Sequence, residues 1–380
     1  MNSENKTSSP TISFSWTILI ILMVAGFLTT VARFIWGIGS ISNLNDSYPW
    51  GLWISFDLLC GIALAAGAFT TAGGVYILGF DKFKPLLRPA ILTGFLGYLL
   101  AILALGVDLG RPERIWHLII YWNPHSVMFE VGWCVMLYTT ILALEFLPMP
   151  LERFGLKKPL SIIHKFTIPI VIVGVVLSTL HQSSLGSLFL IVVNRLHPLW
   201  HSKLLPLFFF LTAVAVGPAV VVVEAYLSSR IFKRHFELDL LSRIVKVIPM
   251  LLGLYLVLRF GDLVIAGKLG ALFTGSLLTL LFWIEILIGV VAPIYLFSKA
   301  SVRENQTSLV KTSLLVIIGV VLNRFNVSLI AIARPDGATY FPHLLEFCIS
   351  FGVIAGGIFV FWLAARFLPI WEVSDDASKV

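Results

Sequence analysis

Ten stretches of about 20 nearly uninterrupted apolar residues limit what this chain can fold into. They run at roughly 14–36, 51–79, 89–107, 126–147, 163–181, 204–228, 244–266, 275–298, 309–332 and 345–368. A stretch of that length crosses a bilayer as an α-helix, because only a helix satisfies every backbone N–H and C=O within one segment. Of the 380 residues, 58% are hydrophobic and 12% charged. A soluble domain carries roughly 25% charge, so a water-soluble enzyme is excluded. The prediction is an all-α polytopic integral membrane protein: a cytoplasmic tail over 1–13, a ten-helix membrane domain over 14–368 and a second cytoplasmic tail over 369–380. The first stretch lacks a small-residue cleavage site and reads as an anchor rather than a removed signal peptide.

Ten spans put both termini on one side. That side, with the loops after spans 2, 4, 6 and 8, holds eighteen of the 27 Lys and Arg residues. The excess makes it cytoplasmic and predicts a bacterial inner membrane with the other face toward the periplasm. The net charge of +7 is then an orientation signal, with no nucleic-acid partner implied. The cytoplasmic loops are Lys-rich. The opposite loops, 108–126, 181–203 and 333–343, are rich in Trp, His, Pro and acid–base pairs. Trp36, Trp50, Trp53, Trp116, Trp122 and Trp200 suggest an interfacial belt there, and the apolar stretch Leu185–Val193 an interfacial or re-entrant segment. At an offset of about 155, Gly106-Val107-Asp108-Leu109 is echoed by Phe260-Gly261-Asp262-Leu263, and Glu130 by Glu285. Spans 2–5 and 6–9 are thus candidates for two related four-helix bundles, with spans 1 and 10 added.

An ionisable side chain within a span costs at least about 2.5–3.5 kcal/mol, so each such residue is a candidate for function. Toward the non-cytoplasmic side these are Asp57, Asp108, His125, Glu130 and His181, then Arg259, Asp262, Glu285 and Arg324. Acids and imidazoles near one lipid boundary suit a quinone, whose tail stays in lipid while its carbonyls need donors and, on two-electron reduction, two protons. Glu130 and His181 are expected to move those protons, with Asp57, Asp108 and His125 beside them. Arg259 and Asp262, at i and i+3, are expected to form a structural ion pair that Glu285 can join. Arg111, Glu113 and Arg114 read as capping and pairing in a loop. On the cytoplasmic side Arg88, Tyr98, Glu145 and Glu224 suggest a proton half-channel; the alternative is snorkelling at helix ends, which suits Glu224 least. Cys60, Cys134 and Cys348 form no cluster-binding motif, so any electrons must come from a partner or from a soluble ligand. No helix carries facing midplane histidines for haem. No metal site is expected, since the His197/His201 pair is interrupted by Pro198 in a loop.

Several strings carry a resemblance: Tyr48-Pro-Trp-Gly-Leu-Trp-Ile-Ser-Phe-Asp57, Val107-Asp108-Leu-Gly-Arg111, Asn123-Pro-His-Ser-Val-Met-Phe-Glu130, Ala143-Leu-Glu145-Phe, His181-Gln-Ser-Ser-Leu-Gly186-Ser, His197-Pro-Leu-Trp200 and Leu258-Arg-Phe-Gly-Asp262. Through nearly its whole length the chain resembles the NrfD/HybB family, the membrane subunits of polysulfide reductases and of uptake nickel–iron hydrogenases. Its ten spans are similar to the hydrogenase branch rather than the eight-span polysulfide reductase branch. The resemblance implies a quinone-reactive subunit without haem or iron–sulfur cluster, not active alone. It implies a periplasmic ferredoxin-like iron–sulfur partner, and nickel–iron hydrogenase large and small subunits or another upstream oxidoreductase. Glu130 and His181 match family positions associated with quinone chemistry near the periplasmic face. Arg88, Tyr98, Glu145 and Glu224 match positions proposed to conduct protons. The chain departs from the pattern at Asn123-Pro-His125, where other members carry Asn-x-Asn, which weakens the case for His125. The expectation is electron transfer to menaquinone with linked proton uptake. The alternatives are the same fold in a multihaem-cytochrome or other complex, running as a quinol oxidase, and a secondary transporter. A transporter would be marked by broken helices at matching positions in both halves; Pro169 and Pro218 are not such a pair.

Overall fold

The computed structural model describes residues 14–45, 48, 50–192, 195–333 and 340–371. The predicted tail over 1–13, most of the tail over 369–380, and Val193 at the end of the predicted interfacial segment lie outside the described residues. Among the described residues the chain forms ten long apolar helices: α1 Ser15–Trp36, α2 Trp53–Tyr76, α3 Asp81–Asp108, α4 Val127–Arg153, α5 Lys157–Leu190, α6 Leu205–Ile231, α7 Leu238–Ile265, α8 Leu277–Ser298, α9 Gln306–Ile330 and α10 Leu344–Phe367.

Several starts are set by local polar chemistry. Ser126 accepts from the Phe129 N–H ahead of α4, Ser276 from Thr279 ahead of α8, and Asn305 from Ser308 ahead of α9. Each bond satisfies one of the donors a helix leaves open at its first turn. His343 and Glu346 form a reciprocal capping box at the start of α10. Three wider π-helical stretches, Trp53–Leu58, Leu287–Val291 and Asn326–Ile330, open α2, interrupt α8 and close α9. A π turn inserts residues into the helical register and re-aims the side chains that follow.

Helix α5 outruns its predicted length at both ends. Its polar first turns extend the helix past the apolar run. At the other end Leu185, Leu188 and Phe189 are buried in the protein. The segment expected to lie at the interface is therefore the last turn of α5 with a buried 3-10 turn.

Packing closes two rings. Helices α2, α3, α4 and α5 contact one another in sequence and α5 returns to α2; α6, α7, α8 and α9 do the same. The rings join where α2 and α5 lie on α6, and α9 reaches α2. Helices α1 and α10 pack on each other, and α10 packs on α3. The α1–α10 crossing depends on two glycines: a Cβ on Gly26 would lie 2.7 Å from Gly352 Cα, so the backbones meet as only small residues allow. One apolar core runs through both rings.

The tryptophans divide by partner. Trp36, Trp116 and Trp122 are exposed, as a belt requires. Trp53 and Trp200 are fully buried, because each indole N–H has an internal acceptor: Trp53 the Glu346 carbonyl at 3.3 Å, Trp200 the Glu285 carboxylate at 2.9 Å.

Candidate functional site

The first ring is lined by residues that recur every three or four positions on two helices. On α5 the buried stripe is Val171, Gly174, Ser178, His181 and Leu185; on α4 it is Val131, Val135, Tyr138 and Leu142, continued by Glu145. This spacing keeps each stripe on one helix face.

His181 is the one fully buried histidine of the eight. Its Nδ1 lies 2.9 Å from the Tyr98 hydroxyl on α3. The Tyr98 ring meets the Tyr138 ring edge-on, centroids 4.8 Å apart, and Ser178 lies against both tyrosines. Beside them Gln182 donates to the Ile62 carbonyl at 3.0 Å. Among the described residues four buried polar atoms here make no hydrogen bond of normal geometry, although the Ser178 hydroxyl adjoins both phenols: His181 Nε2, Tyr138 Oη, Ser178 Oγ and Gln182 Oε1. An unmet buried polar atom costs about 1–3 kcal/mol, and such atoms are rare in native proteins without a function, water or ligand to explain them. When the Tyr98 hydroxyl donates to Nδ1, the proton of the neutral imidazole sits on Nε2 and is available to an acceptor.

A cavity of about 130 Å³ occupies the Arg88 end of the same ring. Lys84, Arg88 and His164 line it with Tyr76 and apolar side chains, and Glu145 reaches into it. Glu145 Oε2 is buried without a partner. Arg88 is already engaged: it grips Glu152 through two bonds of 2.8 and 2.9 Å and donates to the Pro369 carbonyl at 2.8 Å. Glu224 does not join this space. It accepts from Ser228 at 2.6 Å and lines a separate cavity of about 10 Å³ with Thr93. Of the four expected proton carriers, Glu145 and Tyr98 belong to one connected line, Arg88 is a latched rim residue and Glu224 stands apart.

The five expected quinone contacts do not converge. Asp57, in the π turn of α2, accepts from Ser350 on α10 at 2.6 Å. Asp108 keeps Oδ1 buried and unpartnered, within electrostatic range of Arg33, Asp57 and Glu346. Arg33 itself donates to the backbone carbonyls of Val107 and Leu109. Glu346, which sequence reasoning missed, is fully buried and accepts from the N–H groups of Asn43 and His343 and from the Tyr340 hydroxyl. Burial and this bond push the Tyr340 phenol well above its ordinary range. His125 and Glu130 are exposed. Glu130 was expected inside, but its neighbours Phe129 and Val131 take the buried positions. It also lies eight residues before Tyr138, roughly 12 Å along α4 at 1.5 Å per residue.

The second ring corrects another expectation. Among the described residues no ion pair joins Arg259 and Asp262. Arg259 turns to the Leu199 carbonyl and sits over the Phe208 and Phe282 rings. A shared helix face allowed the pair, but a carbonyl with no other donor and two aromatic faces compete for the guanidinium. Glu285 instead accepts from Trp200, Asn323 and Asn326 at 2.9, 2.8 and 2.7 Å. Near Asp262, Lys268 donates to the His201 carbonyl at 2.8 Å, and burial lowers its ammonium pKa. Burial, then the Lys268 charge, lowers that of His201.

Fold and site together define a polytopic all-α membrane protein with a buried polar line in one of two helix rings. The chain belongs to the NrfD family: the family model described as polysulphide reductase, NrfD, matches residues 40–334. That match spans α2 to α9, the two rings, and leaves out α1 and α10. A protein of Nitratidesulfovibrio vulgaris is 39% identical over 370 residues, covering 94% of each chain. A protein of Escherichia coli described as a probable Ni/Fe-hydrogenase 2 b-type cytochrome subunit is 36% identical, covering 92% of this chain and 90% of its own. The menaquinone reductase integral membrane subunit of Nitratidesulfovibrio vulgaris is 29% identical, covering 90% of this chain and 88% of its own.

Proposed function

We propose that this chain is the quinone-reactive membrane subunit of a respiratory oxidoreductase complex, and that it reduces menaquinone with electrons from an iron–sulfur partner subunit. The observation that carries the reading is His181: buried, held by Tyr98 through Nδ1, and with Nε2 left without a protein partner. Reduction adds two electrons and two protons to the quinone. The partner brings the electrons. His181 donates one proton from Nε2 to a substrate oxygen and recovers it at Nδ1 from the Tyr98 hydroxyl. Glu130, exposed near the start of α4 and off its inward face, meets substrate that arrives through lipid, and the second proton reaches the other oxygen from solvent on that side. Asp57 and Asp108 set the field at the same end of the bundle.

The relatives' names support both halves of the proposal, one being a menaquinone reductase subunit and the other a hydrogenase subunit. The upstream enzyme is accordingly a nickel–iron hydrogenase with its large and small subunits. The excess of Lys and Arg supports a topology with the Arg88 end and both termini in the cytoplasm, and on that topology the substrate meets the chain toward the periplasm. A bis-histidine haem finds little support, because none of the other seven histidines is buried with His181.

The test is His181→Ala and Tyr98→Phe in the assembled complex. Donor oxidation with an artificial dye should persist while menaquinone reduction falls about 100-fold or more for His181→Ala, the scale of a lost general acid. Full menaquinone reduction by both variants would refute the assignment.

A further inference from the structure

We infer that Tyr138 carries protons from Glu145 to the Tyr98–His181 pair, and that Gly174 keeps that path open. The inference rests on the reading of His181 given above. It selects the Glu145 side of α3 as the proton inlet over the Glu224 side.

Four observations build the path. Tyr138 and Glu145 are seven residues apart and share one face of α4. Both meet α5 at Gly174: a Cβ built there would lie 3.3 Å from Glu145 Oε1, 3.8 Å from Tyr138 Cε2 and 3.0 Å from Ile141 Cγ2. The missing side chain of Gly174 therefore leaves open a space that the Glu145 carboxyl and the Tyr138 ring both border. One turn on, Ser178 lies against Tyr138 and Tyr98, and Tyr98 bonds His181 at 2.9 Å. Glu145, Tyr138, Ser178 and His181 each keep a buried polar atom without a protein partner. The line thus has spare hydrogen-bonding capacity at each step, and its outer end opens into the 130 Å³ cavity.

The balance is simple. A proton from the cavity arrives on Glu145. Glu145 gives one to the Tyr138 oxygen as Tyr138 gives its own onward, and Tyr98 does the same toward His181 Nδ1. One proton leaves His181 Nε2 as one arrives at Nδ1 and each hydroxyl keeps one proton; the imidazole then returns to its Nε2–H tautomer, and the hydroxyls turn back, before the next proton passes. Glu224 has no part in this: its carboxylate is bonded to Ser228 and faces the other side of α3.

Tyr138→Phe removes a buried hydroxyl with no partner, so it should fold and assemble as well as the native chain. Gly174→Ala inserts a methyl into the opening. Gly73→Ala is the packing control: its Cβ presses Val175 on the same helix at 3.2 Å, away from the polar line. The experiment uses the assembled complex in vesicles, driven by a reduced dye with short-chain menaquinone as acceptor. We expect Tyr138→Phe and Gly174→Ala each to lower kcat by about tenfold or more with KM nearly unchanged. The solvent isotope effect should rise as proton delivery becomes limiting. Gly73→Ala and Glu224→Gln should stay within about twofold of the native chain.

Native turnover in Tyr138→Phe and Gly174→Ala, with His181→Ala inactive, overturns the path and leaves the function standing. Native turnover in His181→Ala overturns the function itself. Loss in Glu224→Gln with Tyr138→Phe intact moves the inlet across α3 and overturns the inference. If Tyr138→Phe fails to assemble, Gly174→Ala against Gly73→Ala decides: equal effects mean packing alone and overturn the path.

Discussion

Replacing Asn323 by Leu removes the link between the two buried charges of the second ring. Asn323 Nδ2 donates to Glu285 Oε1 at 2.8 Å, and its Oδ1 accepts from Arg324 at 2.7 Å. Leucine has a similar size and can do neither. Glu285 would keep Trp200 and Asn326, and Arg324 would keep the Phe209 carbonyl and the Thr212 hydroxyl. Which magnitude applies depends on charge. Neutral hydrogen bonds between membrane helices average about 0.6 kcal/mol, which would make the pair of losses roughly 1.2 kcal/mol. Bonds that end on an ionised group are worth about 1.5–3 kcal/mol. Both bonds here end on one, since Arg324 is a guanidinium and both Glu285 oxygens only accept, as those of a carboxylate do, so the expected cost is about 3–6 kcal/mol. At about 2–4 °C per kcal/mol, the melting temperature in detergent should fall by about 6 °C or more. Turnover per folded molecule should stay near native, because Glu285 holds a scaffold. A fall under about 3 °C would refute the charge-assisted reading; unchanged stability with lost menaquinone reduction would make Glu285 part of the chemistry.

His197 accepts from the Leu199 N–H through Nδ1 at 3.3 Å, and burial lowers its pKa. A folded pKa below the unfolded value of about 6.5 means full stabilisation above that pH and loss as pH falls through the lowered value. Intrinsic amide exchange slows as pH falls from 7 to 5, so exchange over 195–203 should slow less than that intrinsic change as protection is lost, and a His197→Asn chain should follow the intrinsic change. Gly352→Val forces a side chain onto Gly26 Cα, 2.6 Å away; overpacking of this kind costs about 1–3 kcal/mol, and an unchanged melting temperature would show that α1 and α10 do not meet there. Glu152→Gln should cost only about 1 kcal/mol or less, because the Arg88–Glu152 pair is a quarter exposed; a larger loss would mean that the Arg88 latch also holds the C-terminal end of α10.

The ten spans were readable because membrane insertion ties length to hydrophobicity, and a run of apolar residues has few other fates. The same economics exposed His181, Tyr98 and Glu145, polar groups too costly to bury without a reason. What a linear reading could not supply was direction around the helix. Depth placed Glu130 beside His181, yet the face of α4 that looks inward belongs to Phe129, Val131 and Tyr138. The signal for Tyr138 was present: Tyr138 and Glu145 are seven apart, and Gly174, Ser178 and His181 follow at four and three, so both stripes could have been drawn before any coordinates. Arg259 and Asp262 show the converse, since i, i+3 spacing is necessary for a pair but does not outbid a carbonyl across the ring. The internal near-repeat takes its meaning from this difference between scaffold and lining. Asp108 and Asp262, its best-matched acids, each keep a buried carboxylate oxygen without a partner. Glu130 and Glu285 have opposite surroundings, one exposed and one held by three donors. Two rings of the same build thus carry different interiors. The first leaves His181, Tyr138 and Glu145 with open hydrogen-bonding capacity in one line that ends at a cavity, whereas the second holds Glu285 with three donors and keeps its open Asp262 oxygen near Lys268. The proposed proton line rests on the open groups that lead from the cavity to His181, and that is the ground for assigning it to the first ring.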